Sequence, residues 1–172
     1  MSDGPSIRPS IKLSIDISIE SELWSSFATF AEPAETAIAE AIRQSGVRLR
    51  PGAEVSILLC DDRFIRALNI EWRGCDAATN VLSFPAPGDV ETSRSLGDIA
   101  IAYETTAREA EEEGKRFKDH VMHLLVHGFL HLVGYDHQNE AEAADMERLE
   151  RDILGALGID DPYRTALVGI SE

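Results

Sequence analysis

His127-Gly128-Phe129-Leu130-His131-Leu132-Val133-Gly134-Tyr135-Asp136-His137 is the stretch that decides how this chain is read. A helix turns once every 3.6 residues, so His127 and His131 share one face, one turn apart. Gly134 follows where such a helix would end, and glycine enters the left-handed backbone region that a Cβ disfavours. The chain then reverses and returns His137 to the point where the first two rings converge. Three imidazoles around one point suit a zinc ion with an open fourth position, the arrangement of catalytic rather than structural zinc. The expected site holds one Zn2+ per chain, with nitrogens at about 2.0–2.1 Å.

The spacing repeats the zincin pattern H-E-x-x-H-x-x-G-x-x-H with one exception. Gly128 stands where those peptidases carry a glutamate, their general base. The ligand set is kept and that base is missing. Either another group moves the proton, or the chemistry differs, or the site only binds metal. A lone histidine on an apolar helix is ordinarily a core residue, but three at this spacing form a ligand set. His120 and His123 precede them, so that all five histidines fall between positions 120 and 137. These two read as supporting or surface groups, not as ligands.

Working outward, 117–133 is the histidine helix. Val121, Leu124, Leu125, Val126, Leu130 and Leu132 make it apolar nearly all round, which predicts burial. A last helix is expected over 139–157, with Met146, Leu149, Ile153 and Leu157 at helical spacing. Towards the N-terminus, Leu13 to Glu20 alternates apolar and polar, the pattern of a half-buried strand. Helices are expected over 33–44, 61–72 (capped by Asp61 or Asp62) and 105–113. Strands are expected over 54–60, 81–84 and 98–103, and 88–96 reads as loop. The order β-α-β-α-β-β-α-α-α implies an α+β fold. It has a small four-stranded mixed sheet, about five helices and a central histidine-bearing helix carrying a zincin-like metal site. Residues 11–163 form a single catalytic domain in this reading, between a loose leader, 1–10, and a tail, 164–172.

At 172 residues, 44% hydrophobic and 27% charged, the composition is that of a globular protein with a real core. No apolar run approaches the ~20 residues that cross a bilayer, and 1–10 lacks the apolar segment of a signal peptide. Cys60 and Cys75 read as free thiols in a reducing cytoplasm. The net charge of −15 argues against a general nucleic-acid binder, since phosphate neutralisation dominates such affinity. Basic residues cluster nonetheless at Arg63, Arg66 and Arg73 and at Lys115, Arg116 and Lys118, so a local positive groove is allowed. The acidic runs, 109–113 and 140–152, read as solvated helix faces.

Further blocks accompany the histidines: Leu68-Asn69-Ile70-Glu71-Trp72-Arg73-Gly74-Cys75-Asp76-Ala77-Ala78-Thr79-Asn80-Val81-Leu82-Ser83-Phe84-Pro85, Gly97-Asp98-Ile99, Met146 to Glu150, Leu157-Gly158 and Asp161-Pro162-Tyr163. Together with 127–137 they resemble the YbeY family of bacterial metal-dependent endoribonucleases of ribosomal RNA maturation. The likeness runs from about residue 54 to 163. It implies zinc held by His127, His131 and His137, with Arg73 and His127 carrying the chemistry. It implies cleavage of single-stranded RNA, action at the 3′ end of small-subunit ribosomal RNA, and a role in ribosome quality control. Ribosomes or ribosomal proteins are then the partners, with neither DNA nor membrane. Asn80 is a departure, since the family often has Asp there, and this puts a catalytic role for that side chain in doubt.

The residue chemistry is compatible. Zinc acidifies bound water towards pKa ~7 and acts as a Lewis acid. Arginine offers a two-pronged donor matched to phosphoryl oxygens. The general base stays open between Asp98, Asp136 and metal hydroxide alone. A zinc peptidase and a non-catalytic ribosome-associated metal protein are the competing readings.

Overall fold

A computed structural model describes residues 13–27 and 29–163; the expected leader, 1–10, and tail, 164–172, lie outside the described residues. The elements are β1 (Leu13–Ile19), α1 (Ala31–Ser45), β2 (Ala53–Cys60), α2 (Asp62–Arg73), β3 (Val81–Pro85), β4 (Ser95–Ala102), α3 (Tyr103–Glu112), α4 (Phe117–Leu132) and α5 (Glu140–Ala156). The fold is α+β, with the element order read from the sequence. One short element was not expected: a 3₁₀ turn, Glu22–Ser26, after β1. It drops Trp24 into the core, where its indole N–H donates to the Cys60 carbonyl at 2.7 Å.

The sheet order is β1-β2-β4-β3. The first three strands are parallel, because helical crossovers join them, and β3 runs antiparallel to β4. Strand β4 begins at Ser95, three residues before the apolar run that marked it. Polar Arg94 and Ser95 looked like loop, but the Arg94 carbonyl accepts from the Glu54 N–H at 2.9 Å, and the Glu54/Val55 step is irregular. Pairing with β2 overrides local composition here.

One sheet face carries Val55, Ile57, Leu59, Ile99 and Ile101 into the main core, beneath α1, α4 and α5. The other carries Cys60, Leu82, Ala100 and Ala102 against Ile65 of α2. Helix α4 lies centrally between α1, α3, α5 and the β3–β4 hairpin. Val121, Leu125, Val126, Phe129 and Leu130 are fully buried along it. Each such side chain contributes about 1.5–3 kcal/mol relative to exposure, so the helix that bears the histidines is also a main support of the fold.

Asp61 caps α2 by accepting from the Phe64 N–H at 2.8 Å. Asp62, the other candidate cap, instead accepts from the Thr105 N–H and hydroxyl. None of the described helices is long and apolar enough to cross a membrane.

Candidate metal centre

The turn after α4 places the third histidine. Gly134, at φ +109°, donates to the His131 carbonyl at 3.1 Å, and Tyr135 donates to the Leu130 carbonyl at 2.9 Å. This paired capping ends the helix and reverses the chain, as the glycine predicted. Asp136 fixes the returning segment, its carboxylate accepting from the His137 N–H at 2.8 Å. One potential ligand atom from each of His127, His131 and His137 then lies within 4.8 Å of the others. Among the described residues no other trio of histidine, cysteine or carboxylate side chains converges in this way.

Ring tautomers follow from the partners. His131 Nδ1 is 2.9 Å from the Tyr135 carbonyl and His127 Nδ1 is 2.7 Å from Glu150 Oε2. A carbonyl and an ionised carboxylate only accept, so both Nδ1 atoms carry the proton and both Nε2 atoms present lone pairs. Those Nε2 atoms stand 3.1 Å apart. Two lone pairs at that distance repel, and a cation between them turns the contact into attraction. Nitrogens bound tetrahedrally at about 2.0–2.1 Å would be roughly 3.3–3.4 Å apart, close to this spacing. Burial, then the charges of His127 and His137, lowers the pKa of His131 and favours the neutral form that a metal needs. His137 is exposed, so the site opens to solvent.

Glu150 is the residue that sequence reasoning missed. It lies within the acidic stretch of α5 taken as solvated, yet its exposure is 0%. Its Oε2 accepts from His127, its Oε1 contacts His123 Nε2 at 2.8 Å, and the Tyr163 hydroxyl donates to the same Oε1. Burial opposes the charge, but the bonds from His123 and His127 outweigh it and hold the carboxyl at about 2. Burial and the adjacent Glu150 charge keep the Tyr163 hydroxyl protonated, pushing its pKa well up. A signal was present in the sequence: Glu150 sits four residues after Met146 and three before Ile153, on the buried stripe. A carboxylate there must have partners, because an unpaired buried charge is too costly. His123 thus supports a candidate ligand through Glu150. His120 is turned away to Glu109 at 2.9 Å.

The three rings open into a cleft of about 320 Å³ that Arg73, Ser83 and Asp136 also line. Arg73 is the last residue of α2 rather than part of the following loop. Its Nη2 donates to the Ser83 carbonyl at 3.1 Å, which ties the guanidinium to the β3 edge beside the histidines. Asp98 does not join them. It lies on the α2 face of the sheet, in an adjoining groove. Asn80 donates to Glu109 at 3.0 Å, so an aspartate there would set two carboxylates face to face. Cys75 is exposed and outside the cleft lining, while Cys60 is buried, its pKa pushed up to about 12 by burial. Both cysteines are free. At Gly128 a Cβ would come within 2.9 Å of Ile99 Cγ2 and 3.2 Å of Ser83 Oγ. Where zincins place their glutamate, this chain presses its helix against the sheet and leaves no room for a carboxylate.

A family model described as Endoribonuclease YbeY matches residues 18–158. Among curated relatives, an Endoribonuclease YbeY of Methylocella silvestris is 56% identical over 154 residues, covering 90% of this chain and 88% of the relative. One of Beijerinckia indica is 53% identical over 152 residues, covering 84% and 74%. A solution structure from Thermotoga maritima aligns with TM-score 0.55 at 23% identity, covering 84% of this chain and 91% of that one, a likeness that speaks for the fold alone. With the family model spanning most of its length and relatives above half identity, the chain belongs to the YbeY family of endoribonucleases.

Proposed function

We propose that this endoribonuclease is zinc-dependent and specific for single-stranded RNA, and that it acts in ribosomal RNA maturation. The proposed task includes the 3′ end of the small-subunit RNA and ribosome quality control, in the cytoplasm and in contact with ribosomes. The observation that supports it is the cleft itself. One ring nitrogen from each of three histidines converges within 4.8 Å, and one tethered guanidinium lines the same cleft. His127, His131 and His137 would hold the metal. When bound, zinc would supply acidification of water and Lewis-acid polarisation of a phosphoryl oxygen. His127 presents its Nε2 because Glu150 holds its other nitrogen. Arg73 offers two parallel N–H donors to phosphoryl oxygens where charge grows during cleavage. Asp136 is the carboxylate on hand beside the ligands, and its observed contact holds the His137 backbone.

The peptidase reading loses its support at Gly128, where the structure has no space for the usual base. The test is cleavage of a labelled single-stranded RNA by the purified chain, with and without chelator, and after zinc is restored. His131→Ala and Arg73→Ala proteins run beside it expose a contaminating nuclease. Loss of cutting with chelator and in both variants is expected. Cutting by the Arg73→Ala protein at the wild-type rate would remove that residue from the reaction. Absence of cutting by the zinc-restored wild-type protein would leave the metal structural, as in a ribosome-associated binding protein. Cutting that survives the chelator would remove the metal from the reaction.

A further inference from the structure

We propose that Trp72 and Phe84 form a stacking subsite for a nucleobase of the RNA strand whose phosphate lies in the metal cleft. This inference rests on the reading of the cleft as an RNA-cleaving site. Helix α2 lays an apolar stripe on the sheet through Ile65 and Leu68, and Trp72 continues it one turn further. There the cover runs out. Trp72 is 64% exposed and borders a groove whose lining is mostly apolar, with Leu58, Leu68, Phe84 and Pro85. A contiguous apolar lining, rather than a lone exposed ring, marks a binding groove. The Trp72 ring centroid is 6.2 Å from that of Phe84, with the planes 55° apart. The two rings wall the groove, of about 450 Å³, whose floor is small, at Gly97 and Ala100 of β4.

This groove and the metal cleft are neighbours. Pro85 lines both, and β3 is the partition between them. Arg73 joins them chemically: it lines the metal cleft, and its Cζ lies 5.7 Å over the Phe84 ring. Two successive residues at the end of α2 therefore offer a cation to a phosphate and an aromatic face to a base. That pairing matches the repeating unit of a single strand, a phosphate and then a flat ring. Stacking tolerates any base and requires it to be unpaired, which gives a physical origin for single-strand preference. The groove carries Asp98 as its one charged lining residue. A carboxylate there repels phosphate and leaves the groove to the uncharged ring.

The experiment uses full-length zinc-loaded protein and a short 2′-O-methyl RNA strand that cannot be cut through its 2′-hydroxyl. The chain has two tryptophans, and Trp24 is fully buried, so quenching of emission on binding reports Trp72. The strand should quench wild-type emission. By anisotropy of an end-labelled strand, which does not depend on tryptophan, Trp72→Ala should bind roughly 5- to 150-fold more weakly with zinc content unchanged, and Trp72→Phe should recover most of the affinity. A strand abasic at one position should lose affinity for wild type and not for Trp72→Ala. Wild-type affinity in Trp72→Ala, equal binding of the abasic strand, or absence of quenching overturns the subsite. Quenching without any RNA cleavage sustains the subsite and sinks the nuclease reading. Chelator-sensitive cleavage with normal KM in Trp72→Ala does the reverse and leaves the groove to another partner.

Discussion

Glu150 turns a pair of helical histidines into a fixed donor set. One oxygen holds His127 and the other holds His123, so a single buried charge sets the tautomer and tilt of the ring that faces the cleft. Glu150→Gln keeps the volume and loses the ionised acceptor. Zinc affinity, read by competition with a chromophoric chelator, should fall about 10- to 100-fold. Unchanged affinity would show that His127 is positioned by packing alone. Arg73 behaves differently, because its contacts are to the Ser83 carbonyl and the Phe84 ring and it stands at the surface. Arg73→Ala should keep zinc content and thermal midpoint yet lose most RNA cleavage. Arg73→Lys should regain part of it, since an ammonium keeps the charge without the two-pronged geometry. The remaining activity of the lysine protein should decline with added salt, as exposed charges are screened. Full activity of the lysine protein would reduce the role of Arg73 to charge alone.

Helix α4 and its exit turn carry two of the three candidate ligands and aim the third. Gly134 has open space where a Cβ would stand, so the cost of substitution lies in its φ of +109° and not in a clash. Gly134→Val should therefore fold, with about 1–3 kcal/mol of backbone strain. His137 should be misplaced, and weakened zinc binding by isothermal titration would reveal it. Wild-type affinity would mean that the turn tolerates another path. Gly128 presents the opposite case, an ordinary helical residue with Ile99 and Ser83 too near. Gly128→Ala gains about 1 kcal/mol of helix propensity, but crowding at Ile99 should outweigh it and lower stability in urea, typically by 1–3 kcal/mol before that gain. A more stable Gly128→Ala protein would show that the hairpin yields easily. The helices were legible because their signals are local: periodicity, a cap at Asp61 and Gly134 at the exit. That Asn139 caps the last helix, accepting from the Glu142 N–H, came from the structure. The start of β4 and the 3₁₀ turn around Trp24 were not, since pairing with β2 and burial against other elements fix them.

At the scale of the whole molecule, buried titratable groups make stability depend on pH in a definite direction. Glu150 is depressed from 4.5 to about 2, so its contribution is complete above about 4.5 and is lost as pH falls towards 2. The shift corresponds to something on the order of 3 kcal/mol. His120 and His131 are also depressed, chiefly by burial, so their contribution is complete above about 6.5 and is lost on acidification below it. Metal-free protein should lose urea resistance first below pH 6.5 and again between 4.5 and 2, with the second step flattened in Glu150→Gln. Constant urea midpoints from pH 7 to 3 would refute this linkage. The sequence by itself determined the α+β order, the buried histidine helix and the three-histidine set. Each rests on spacing within one short segment, where helix geometry leaves little freedom. Only the tertiary structure decided that Asp98 faces the other side of the sheet, that Gly128 has no room for a carboxylate, and that Glu150 of α5 reaches back to His127. Those facts depend on which face of one element meets another, and residues far apart in the chain become neighbours only when the sheet and its helices have closed on a common core.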